Sequence, residues 1–430
     1  MKIIGITGTN GKTTCVHIIT NLLKDHLNCA NFGTLGIKHY INNECFETPT
    51  TLTTLGNQDL HKHLKRVASL GCQLVAMEVS SHGIVQNRIA NVDFVDLVFT
   101  NLSHDHLDYH QDMDNYFQAK SKLFIEYAKL ANRAIINLDC YYGLQLIKLL
   151  QQNLPNPKLE IIGFSTKSLN QQNNSSQINN IKKITCETIK FNHSGIEASI
   201  NTPWGDGKLS TNLLGIHNLS NLLASIAVCG SELSLATILQ KSSNIQTPKG
   251  RLQALLVNST NHLYANFSDN IADNTINLLP KIIIDYAHTP NGLENALLAI
   301  KNHYPKYKIC CIFGCGGNRD IDKRPKMLQV AENYCNTIIL TQDNSRNEDP
   351  NKIIDDILSY KIKNESINIY VKMDRREAIY TAINNYSQDH IILIAGKGHE
   401  NKQIIGNNEH FFCDYAVAEE GIKKLLIAVL

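Results

Sequence analysis

The sequence predicts an α/β protein of two domains, each built on a parallel or mixed β-sheet with helices on both faces. The chain has 430 residues, more than one ordinary hydrophobic core contains. Continuous apolar segments alternate with segments of helical apolar spacing, a pattern typical of parallel strands joined by crossover helices. The segment 248–251, Pro-Lys-Gly-Arg, interrupts this alternation. We therefore predict domains at 1–247 and 248–430.

The N-terminal segment predicts a phosphate-binding loop. The apolar strand 2–7 runs into Gly-Thr-Asn-Gly-Lys-Thr-Thr at 8–14, and helical spacing follows. Backbone N–H groups of such a loop and the positive end of the next helix suit anionic oxygens, with Lys12 placed for the terminal phosphates and Thr13 for Mg²⁺. The glycine spacing departs from the strict pattern, so a plain strand-to-helix turn is the alternative. The predicted ATP ligands here are Gly8, Thr9, Asn10, Gly11, Lys12, Thr13 and Thr14.

The composition argues against several classes of partner. The net charge of +2 gives no electrostatic case for binding nucleic acid or an anionic membrane. No apolar run approaches the roughly 20 residues of a transmembrane helix, and the apolar N-terminal stretch is too short for a signal peptide. The twelve cysteines lack paired zinc spacing and predict reduced thiols. We expect a cytoplasmic monomer whose partners are small molecules.

Polar residues follow two further apolar strands of the first domain. Glu78 lies at the C-terminal end of the apolar strand 73–77, the edge at which parallel sheets bind ligands. Its carboxylate is a suitable ligand for Mg²⁺. The strand 94–99 precedes a segment with three His and two Asp at 104–110, which leaves open a self-contained metal site or a solvated turn. A helix predicted at about 113–130 carries Lys120, for which a salt-bridged surface lysine is the ordinary interpretation.

The second domain repeats the alternation in shorter units. Its predicted strands are 281–285, 308–313, 337–341, 367–371 and 390–395. Polar loops follow four of them, at 285–288, 314–319, 343–346 and 396–400, at the sheet edge where ligands bind. The polar stretch 167–180 predicts an exposed loop, and 258–277 carries no recognisable chemistry.

A series of motifs resembles those of the Mur ligases, the ATP-dependent amino-acid ligases of peptidoglycan synthesis. The phosphate loop alone is similar to that of a wider superfamily, which includes folylpolyglutamate synthetases. The more specific motifs lie, in the family's order, at 77–83, 100–102, 105–110, 217–221, 285–290, 314–317 and 396–400. Together they resemble the branch that adds the third residue, meso-diaminopimelate, to UDP-N-acetylmuramoyl-L-alanyl-D-glutamate (UDP-MurNAc-L-Ala-D-Glu). The resemblance implies an acyl-phosphate mechanism, with a P-loop ATPase domain followed by a dinucleotide-fold-like domain.

The sequence departs from this family in two places. Members normally begin with a uridine-binding domain, whereas the glycine-rich region here starts at Gly5. This leaves open a partner chain that supplies the domain, weak uridine recognition, an acceptor without UDP, or an incomplete copy. The alternative functions are a ligase for a UDP-free acceptor, such as a recycled muropeptide or a folate-like carboxylate, and a non-catalytic binding partner. The second departure is Ser345, where the diaminopimelate readers Asp-Asn-Pro-Arg have a turn-stiffening proline.

The resemblance also implies the roles of individual residues. The catalytic set is Lys12, Glu78, His106 and Lys120. The Mg²⁺ ligands are Thr13, Glu78, His106 and a carbamylated Lys120. Further nucleotide contacts are Asn218, Arg251, Asp285 and His288. The acceptor would bind Thr53, Thr54, Ser80, Gln86 and Arg88. The amino acid would bind Arg319, Asp343, Asn344, Ser345, Arg346, Gly396 and Glu400, with guanidinium groups suited to its distal carboxylate and carboxylates suited to its ammonium.

Overall fold

A computed structural model of the chain describes residues 1–42, 44–168, 181–255 and 279–429. Most of the predicted loop 167–180, and all of the stretch 258–277, lie outside the described residues. Contacts divide the chain into two compact units, Met1–Gln246 and Thr247–Leu430. Each unit contains its own sheet.

The first unit contains a mixed sheet of eleven described strands, in the order β11-β10-β9-β8-β7-β6-β1-β5-β2-β3-β4. These are β1 Lys2–Thr7, β2 Cys29–Gly33, β3 Gly36–Ile41, β4 Glu44–Thr48, β5 Leu74–Glu78, β6 Asp96–Phe99, β7 Arg133–Asn137, β8 Glu160–Ser165, β9 Lys182–Asn192, β10 Gly195–Thr202 and β11 Gly205–Thr211. The sheet is parallel from β2 to β9, and antiparallel strands extend it on both sides. This order places the ends of β1, β5 and β6 side by side.

Helices cover both faces of this sheet, because residues alternate between its two sides along each strand. The helices are α1 Lys12–Leu23, α2 Asn57–Ser69, α3 Ser81–Val85, α4 Leu107–His110, α5 Met113–Ile125, α6 Tyr141–Gln152, α7 Ile216–Cys229 and α8 Leu235–Ser242. Ile4 and Ile6 of β1 join α1 and α7 in one core, whereas Val75 and Met77 of β5 join α2, α5 and α6 in the other.

Helix α5 is shorter than predicted. The sequence predicted a helix to about residue 130, but α5 ends at Ile125. The chain then turns, and the Ala131 N–H donates to Ala128 O over 3.1 Å. Both alanines are buried while Leu130 is 62% exposed, because this turn directs the chain into β7. The apolar spacing of 113–130 therefore combines a helix with a buried turn.

The second unit contains a six-stranded sheet in the order β12-β13-β17-β14-β15-β16, parallel except for β12. Its strands are β12 Gln253–Ala254, β13 Lys281–Asp285, β14 Lys308–Phe313, β15 Thr337–Leu340, β16 Asn368–Val371 and β17 His390–Ala395, followed by the hairpin strands β18 Lys402–Ile405 and β19 Asn408–Phe411. Its described helices are α9 Pro290–His303, α10 Lys323–Tyr334, α11 Pro350–Leu358, α12 Arg375–Asn385 and α13 Asp414–Val429.

Local signals explain where these helices begin. Thr289 caps α9 by accepting from the Gly292 N–H, and Asp349 caps α11 in the same way. A proline follows each cap at the first helical position, where its missing N–H is not needed. The strand order brings the loops after β13, β14, β15 and β17 to one edge of the sheet.

The cysteines are all free thiols, as predicted. Most are buried, and burial raises the pKa of Cys15 and of Cys29 to about 12. Cys45 on β4 is exposed, and Cys140 and Cys413 are half-buried. None of the helices in the described part of the chain has the length and apolar character needed to cross a lipid bilayer.

Candidate active site

The loop between β1 and α1 requires its glycines. Gly11 has a φ of +89°, and a Cβ there would lie 2.2 Å from Asn221 Oδ1 on α7. At Gly8 a Cβ would lie 1.9 Å from Thr100 Oγ1. Asn101 fastens the loop from outside, since its side-chain oxygen accepts from the Asn10 N–H over 2.9 Å. The loop is therefore a tightly packed turn with a defined backbone.

Two lysines converge on this loop. Lys12 Nζ donates to Gly8 O and Thr9 O, each over 2.8 Å. Lys120 Nζ donates to the same Gly8 O over 3.0 Å. Two ammonium groups around one carbonyl repel each other, so this arrangement disfavours a charge on the more buried of them.

Lys120 is that more buried lysine, with 1% of its surface exposed. Burial first, and then the charge of Lys12, hold the pKa of Lys120 well below its usual range. Its Nζ lies 4.7 Å from the centroid of the Tyr116 ring. The interpretation as a salt-bridged surface lysine is therefore wrong. An uncharged amine in this position is nucleophilic enough to form a carbamate.

Glu78 offers a carboxylate beside the loop. It is 1% exposed, and its Oε1 accepts from the Thr34 N–H over 2.8 Å. A Cβ on Gly33 would lie 2.1 Å from that oxygen, so the glycine leaves room for the carboxylate. Carboxylate and hydroxyl oxygens are ligands that Mg²⁺ prefers, and Glu78 and Thr13 supply both kinds. The donor set fits a magnesium ion whose remaining ligands come from phosphate and water.

The His- and Asp-rich segment 104–110 is not a metal site by itself. Within the described residues no group of three or more His, Cys, Asp or Glu is arranged to hold a metal ion. Instead, the His110 ring stacks on Tyr116 with centroids 4.9 Å apart, and His110 Nε2 lies 2.9 Å from Ser81 Oγ. His106 has a φ of +54°, and burial lowers its pKa to about 4, so its ring is neutral near pH 7.

The aromatic side chains that support this region were not predicted from the sequence. Tyr116 contacts Lys120 and His110, and its hydroxyl lies 3.3 Å from Thr9 Oγ1. Tyr116 lies four residues before Lys120 on α5, and this spacing could have indicated that the two side chains share one face of the helix. Asn221 belongs to the family-like motif at 217–221, but it was not predicted to be part of the site.

The five predicted acceptor residues lie together. Thr54 Oγ1 donates to Glu78 O over 3.0 Å and lies 3.1 Å from Ser80 Oγ, which caps α3. Arg88 Nη1 donates to Thr54 O over 2.9 Å, and Arg88 Nε donates to Gln86 Oε1 over 2.9 Å. Thr53 joins them through Thr34, whose Oγ1 lies 3.1 Å from Thr53 Oγ1. The cluster thus combines hydroxyls with a guanidinium next to Glu78.

The predicted nucleotide contacts outside the loop fall in both units. Asn218 lies in α7, where its Nδ2 donates to Leu214 O over 2.9 Å. In the second unit the Arg251 guanidinium lies 4.4 Å from the centroid of the Tyr286 ring.

Asp285 and His288 also belong to the second unit. Asp285 accepts backbone N–H groups from Leu252 over 2.7 Å and Ala287 over 2.8 Å, and burial raises its pKa. His288 Nδ1 lies 2.9 Å from Tyr286 O. These bonds order the loop 285–288.

The predicted amino-acid ligands form one cluster in the second unit. Asn344 Nδ2 donates to Glu400 Oε2 over 3.0 Å. Lys397, fully buried, donates to Asn344 Oδ1 over 3.0 Å and to Glu400 Oε2 over 3.2 Å. Sequence reasoning did not assign Lys397 to the site, although it lies in the predicted loop 396–400. Gly396, with a φ of +112°, lies beside Asp343, because a Cβ there would be 2.8 Å from Asp343 Oδ2.

Two guanidinium groups complete this cluster. Arg346 Nη1 donates to Gly317 O over 2.9 Å, and burial followed by the charge of Arg319 lowers the pKa of Arg346. In the described part of the chain neither guanidinium forms a salt bridge with a carboxylate. Ser345 is buried, and its Oγ accepts from Gln342 Nε2 over 2.9 Å. This bond holds the loop at the position where the family pattern has proline.

A separate cavity of about 660 Å³ lies at the opposite edge of the second sheet, where its strands begin. Lys308, Thr337, Tyr370, Tyr386 and His390 are among its lining residues. None of the predicted site residues lines it, and parallel sheets bind ligands at the other edge.

Comparison with known proteins shows which family the chain resembles. A profile of the Mur ligase middle domain matches residues 6–229, and one described as "Mur ligase, glutamate ligase domain" matches residues 275–398. The UDP-N-acetylmuramoyl-L-alanyl-D-glutamate–2,6-diaminopimelate ligase of Buchnera aphidicola subsp. Baizongia pistaciae is 39% identical over 99% of this chain and 76% of its own. The ligase of that name from Coxiella burnetii is 37% identical, over 98% and 78%.

Solved structures give the same result. A structure of a ligase of that name has a TM-score of 0.65 and 31% identity, covering 99% of this chain and 79% of its own. A folylpolyglutamate synthase from Mycobacterium tuberculosis, solved with ADP and AMPPCP, has a TM-score of 0.63 at 14% identity and shares the fold. With both domain profiles and close relatives matching over nearly its whole length, the chain belongs to the Mur ligase family.

Proposed function

We propose that the protein is an ATP-dependent ligase that joins meso-diaminopimelate to the D-glutamyl carboxylate of UDP-MurNAc-L-Ala-D-Glu in peptidoglycan synthesis. The observation that carries this proposal is the cluster of Arg319, Arg346, Asp343 and Glu400 at one sheet edge. Two guanidinium groups without a carboxylate partner and two nearby carboxylates match an amino acid whose far end is a zwitterion. Relatives named for this reaction support the same choice.

The first step would activate the carboxylate, because the hydroxide of a free carboxylate is a poor leaving group. A D-glutamyl carboxylate oxygen attacks the γ-phosphorus of ATP, the bond to the β-phosphate oxygen breaks, and an acyl phosphate and ADP form. Two anions must approach each other, so positive charge and N–H donors are the main requirement. Lys12 and the amides of the loop 8–11 would supply them. Lys12 would exchange its bonds to loop carbonyls for bonds to phosphate.

The second step would form the amide. The uncharged amine of diaminopimelate attacks the acyl carbon, the tetrahedral intermediate collapses, inorganic phosphate leaves and the amine nitrogen loses a proton. Arg346 and Arg319 would hold the distal carboxylate, while Glu400 and Asp343 would orient the distal ammonium. A lysine substrate lacks that carboxylate and would leave the half-buried guanidinium of Arg346 without a carboxylate partner, at a cost of about 1–3 kcal/mol.

Magnesium ions would be held by Thr13 and Glu78, and by His106 with a carbamylated Lys120. When bound, such ions neutralise the phosphate oxygens. The neutral ring of His106 keeps a lone pair for coordination. Carbamylation would turn the buried amine of Lys120 into an anionic oxygen ligand. A cytoplasmic location and a monomeric state stay predictions.

The decisive measurement is ADP release with ATP, Mg²⁺ and acceptor, comparing meso-diaminopimelate, lysine and no added amine. We expect release that requires both the UDP-linked acceptor and diaminopimelate, with little turnover of lysine. A parallel series replaces the acceptor with UDP-free muramoyl-dipeptide or a folate. Faster turnover of a UDP-free acceptor would favour the alternative ligase, and ATP hydrolysis that ignores acceptor and amine would contradict the proposal.

A matched pair of lysine variants separates catalysis from mere binding. Lys12→Ala should abolish ADP release, since it removes the cation that contacts the phosphates. Lys62→Ala on α2 removes an exposed lysine and should retain the parent rate. Equal complementation of a ligase-deficient strain by Lys12→Ala and by the parent would favour the non-catalytic binding partner.

A further inference from the structure

Two loops carry the charged groups of the amino-acid cluster. The loop 314–319 follows β14 and bears Arg319, and the loop 341–348 follows the neighbouring parallel strand β15 and bears Arg346. The Gly317 N–H donates to Asn344 O over 2.9 Å, and Asn347 N donates to Asn318 Oδ1 over 3.3 Å. The separation of the two guanidinium groups therefore depends on how firmly these loops hold each other.

A buried arginine lies behind both loops. Arg324, in the first turn of α10, is 0% exposed. Its Nη1 and Nη2 donate to the two oxygens of Glu348 over 2.6 Å and 2.7 Å, which is a bidentate pair. Nη1 also donates to Asp356 Oδ2 over 2.7 Å, and Nη2 donates to Gly316 O over 3.4 Å. Arg324 thus contacts both loops without reaching the cluster itself.

Glu348 connects this arginine to the site. Its Oε2 accepts from the Asn318 N–H over 2.9 Å in addition to the bond from Arg324. The guanidinium, together with the Asn318 amide, holds the pKa of the Glu348 carboxyl at about 2. One ionised carboxylate therefore joins the loop after β15 to the residue that precedes Arg319.

Each of the two loops contains one residue with a left-handed backbone. Asn318 has a φ of +52° and Arg346 a φ of +50°, a left-handed conformation that is uncommon outside glycine. Such residues persist when the surrounding bonds determine their conformation. The backbone of Arg346 is held separately, since its N–H donates to Ile404 O over 3.1 Å and its carbonyl accepts from the Gly406 N–H over 2.7 Å. Loss of the Glu348 carboxylate would therefore release the Asn318 amide and weaken the reason for the left-handed conformation next to Arg319.

We propose that Glu348 and Arg324 form a positioning pair, which sets the separation of Arg319 and Arg346 and so the selectivity for an amino acid with a distal carboxylate. This inference rests on the proposed function. Neither residue is among the predicted amino-acid ligands, and their effect passes through the two loops. A substrate without a distal carboxylate does not use that separation, so it gains nothing from the pair.

The test compares Glu348→Gln with Glu420→Gln. Glu420 is the matched control: an arginine-paired glutamate of the same unit, with its pKa also lowered to about 2, whose side chain is 45% exposed and pairs with Arg376 and Lys424 instead of either loop. For Glu348→Gln we expect at least a fivefold rise in KM for meso-diaminopimelate, while KM for ATP and kcat at saturating amine stay within twofold. Unchanged kinetics, or an equal rise for ATP, would overturn the inference.

Hydrogen exchange measured by mass spectrometry provides a readout that does not need turnover. Glu348→Gln should accelerate exchange of the amides in 316–319 and 344–348 but not in β13 or β17, and Glu420→Gln should change neither loop. Slow exchange in both loops of Glu348→Gln would refute the positioning pair even if the parent lacked diaminopimelate-dependent activity. That lack would count against the proposed function instead.

Discussion

Arg346 is the residue on which the proposed substrate class most depends. Its guanidinium is held by the Gly317 carbonyl and lies in the field of Arg319, and burial lowers its pKa. A charged group in this situation gains from an arriving carboxylate. The position of Asp343, Asn344 and Arg346 at the edge of the second sheet was predictable from the sequence, because these polar residues follow an apolar strand. Lys397 and Arg324 were not, since their partners at Asn344 and Glu348 become neighbours only through the fold.

We predict that Arg346→Ala weakens the selection of diaminopimelate over lysine. Removing the guanidinium should raise KM for diaminopimelate by roughly 10- to 100-fold, equivalent to about 1–3 kcal/mol, and leave KM for lysine nearly unchanged. Steady-state kinetics with both amines measure this. Arg376→Ala, which removes an exposed arginine of the same unit, is the control and should change neither value. An equal loss for both amines would contradict the assignment.

We predict that Lys120 carries carbon dioxide as a carbamate. Burial and the charge of Lys12 lower the pKa of Lys120 and so favour its uncharged amine, whose nitrogen can attack CO₂ and lose a proton to give an anionic oxygen ligand. Carbon-13 NMR in labelled bicarbonate should show a carbamate carbonyl signal that Lys120→Ala lacks. Lys62→Ala should keep the signal. A spectrum of Lys120→Ala that still contains it would assign the carbamate elsewhere.

At the scale of elements, the bounds of the first strand were predictable from the sequence and the end of α5 was not. The strand 2–7 was predicted with its observed bounds, because its apolar run ends at a glycine. The end of α5 was not, because buried Ala128 and Ala131 continue an apolar spacing that the turn also satisfies. The spacing of apolar residues indicates which side chains are buried. It distinguishes a helix from a buried turn only when a capping residue or a glycine marks the end of the helix.

We predict that Gly8→Ala impairs nucleotide binding. The added Cβ would lie 1.9 Å from Thr100 Oγ1 and 3.0 Å from the Asn101 backbone, so the loop must shift from its observed conformation. Isothermal titration with ATP should show at least tenfold weaker binding. Gly56→Ala, where a Cβ meets nothing within 4 Å, is the control and should bind ATP as the parent does. Unchanged binding by Gly8→Ala would exclude this loop as the phosphate site.

At the scale of the whole molecule, two sheets with separate cores organise the chain. Their α/β class was predictable from alternating strands and helices. The order of strands was not, because β1 lies between β5 and β6 through crossovers that no local pattern records. The same holds for the contact of Asn221 with Gly11, which joins two distant parts of the first unit.

We predict that Asp414→Asn destabilises the second unit selectively. Arg375 and Asp414 are 0% exposed in their side chains, and they join α12 to α13 by two hydrogen bonds of 2.8 Å. Breaking such a buried pair leaves an unpaired charge and costs about 3–5 kcal/mol. Hydrogen exchange should accelerate in β13, β14 and β17 but not in β1 or β5. Glu420→Gln, which breaks a partly exposed ion pair between Arg376 on α12 and Glu420 on α13, should leave exchange unchanged. Uniform acceleration in both units would contradict the separation of the cores.

The distribution of thiols has a practical consequence. Cys45 is the exposed cysteine, and the raised pKa values of buried thiols such as Cys15 and Cys29 keep them in the unreactive protonated form. A maleimide dye added to the native protein should therefore attach first at Cys45, on the outermost strand of the first sheet. The unmodified sequence thus already contains a handle for fluorescence studies of ligand binding, without engineered mutations.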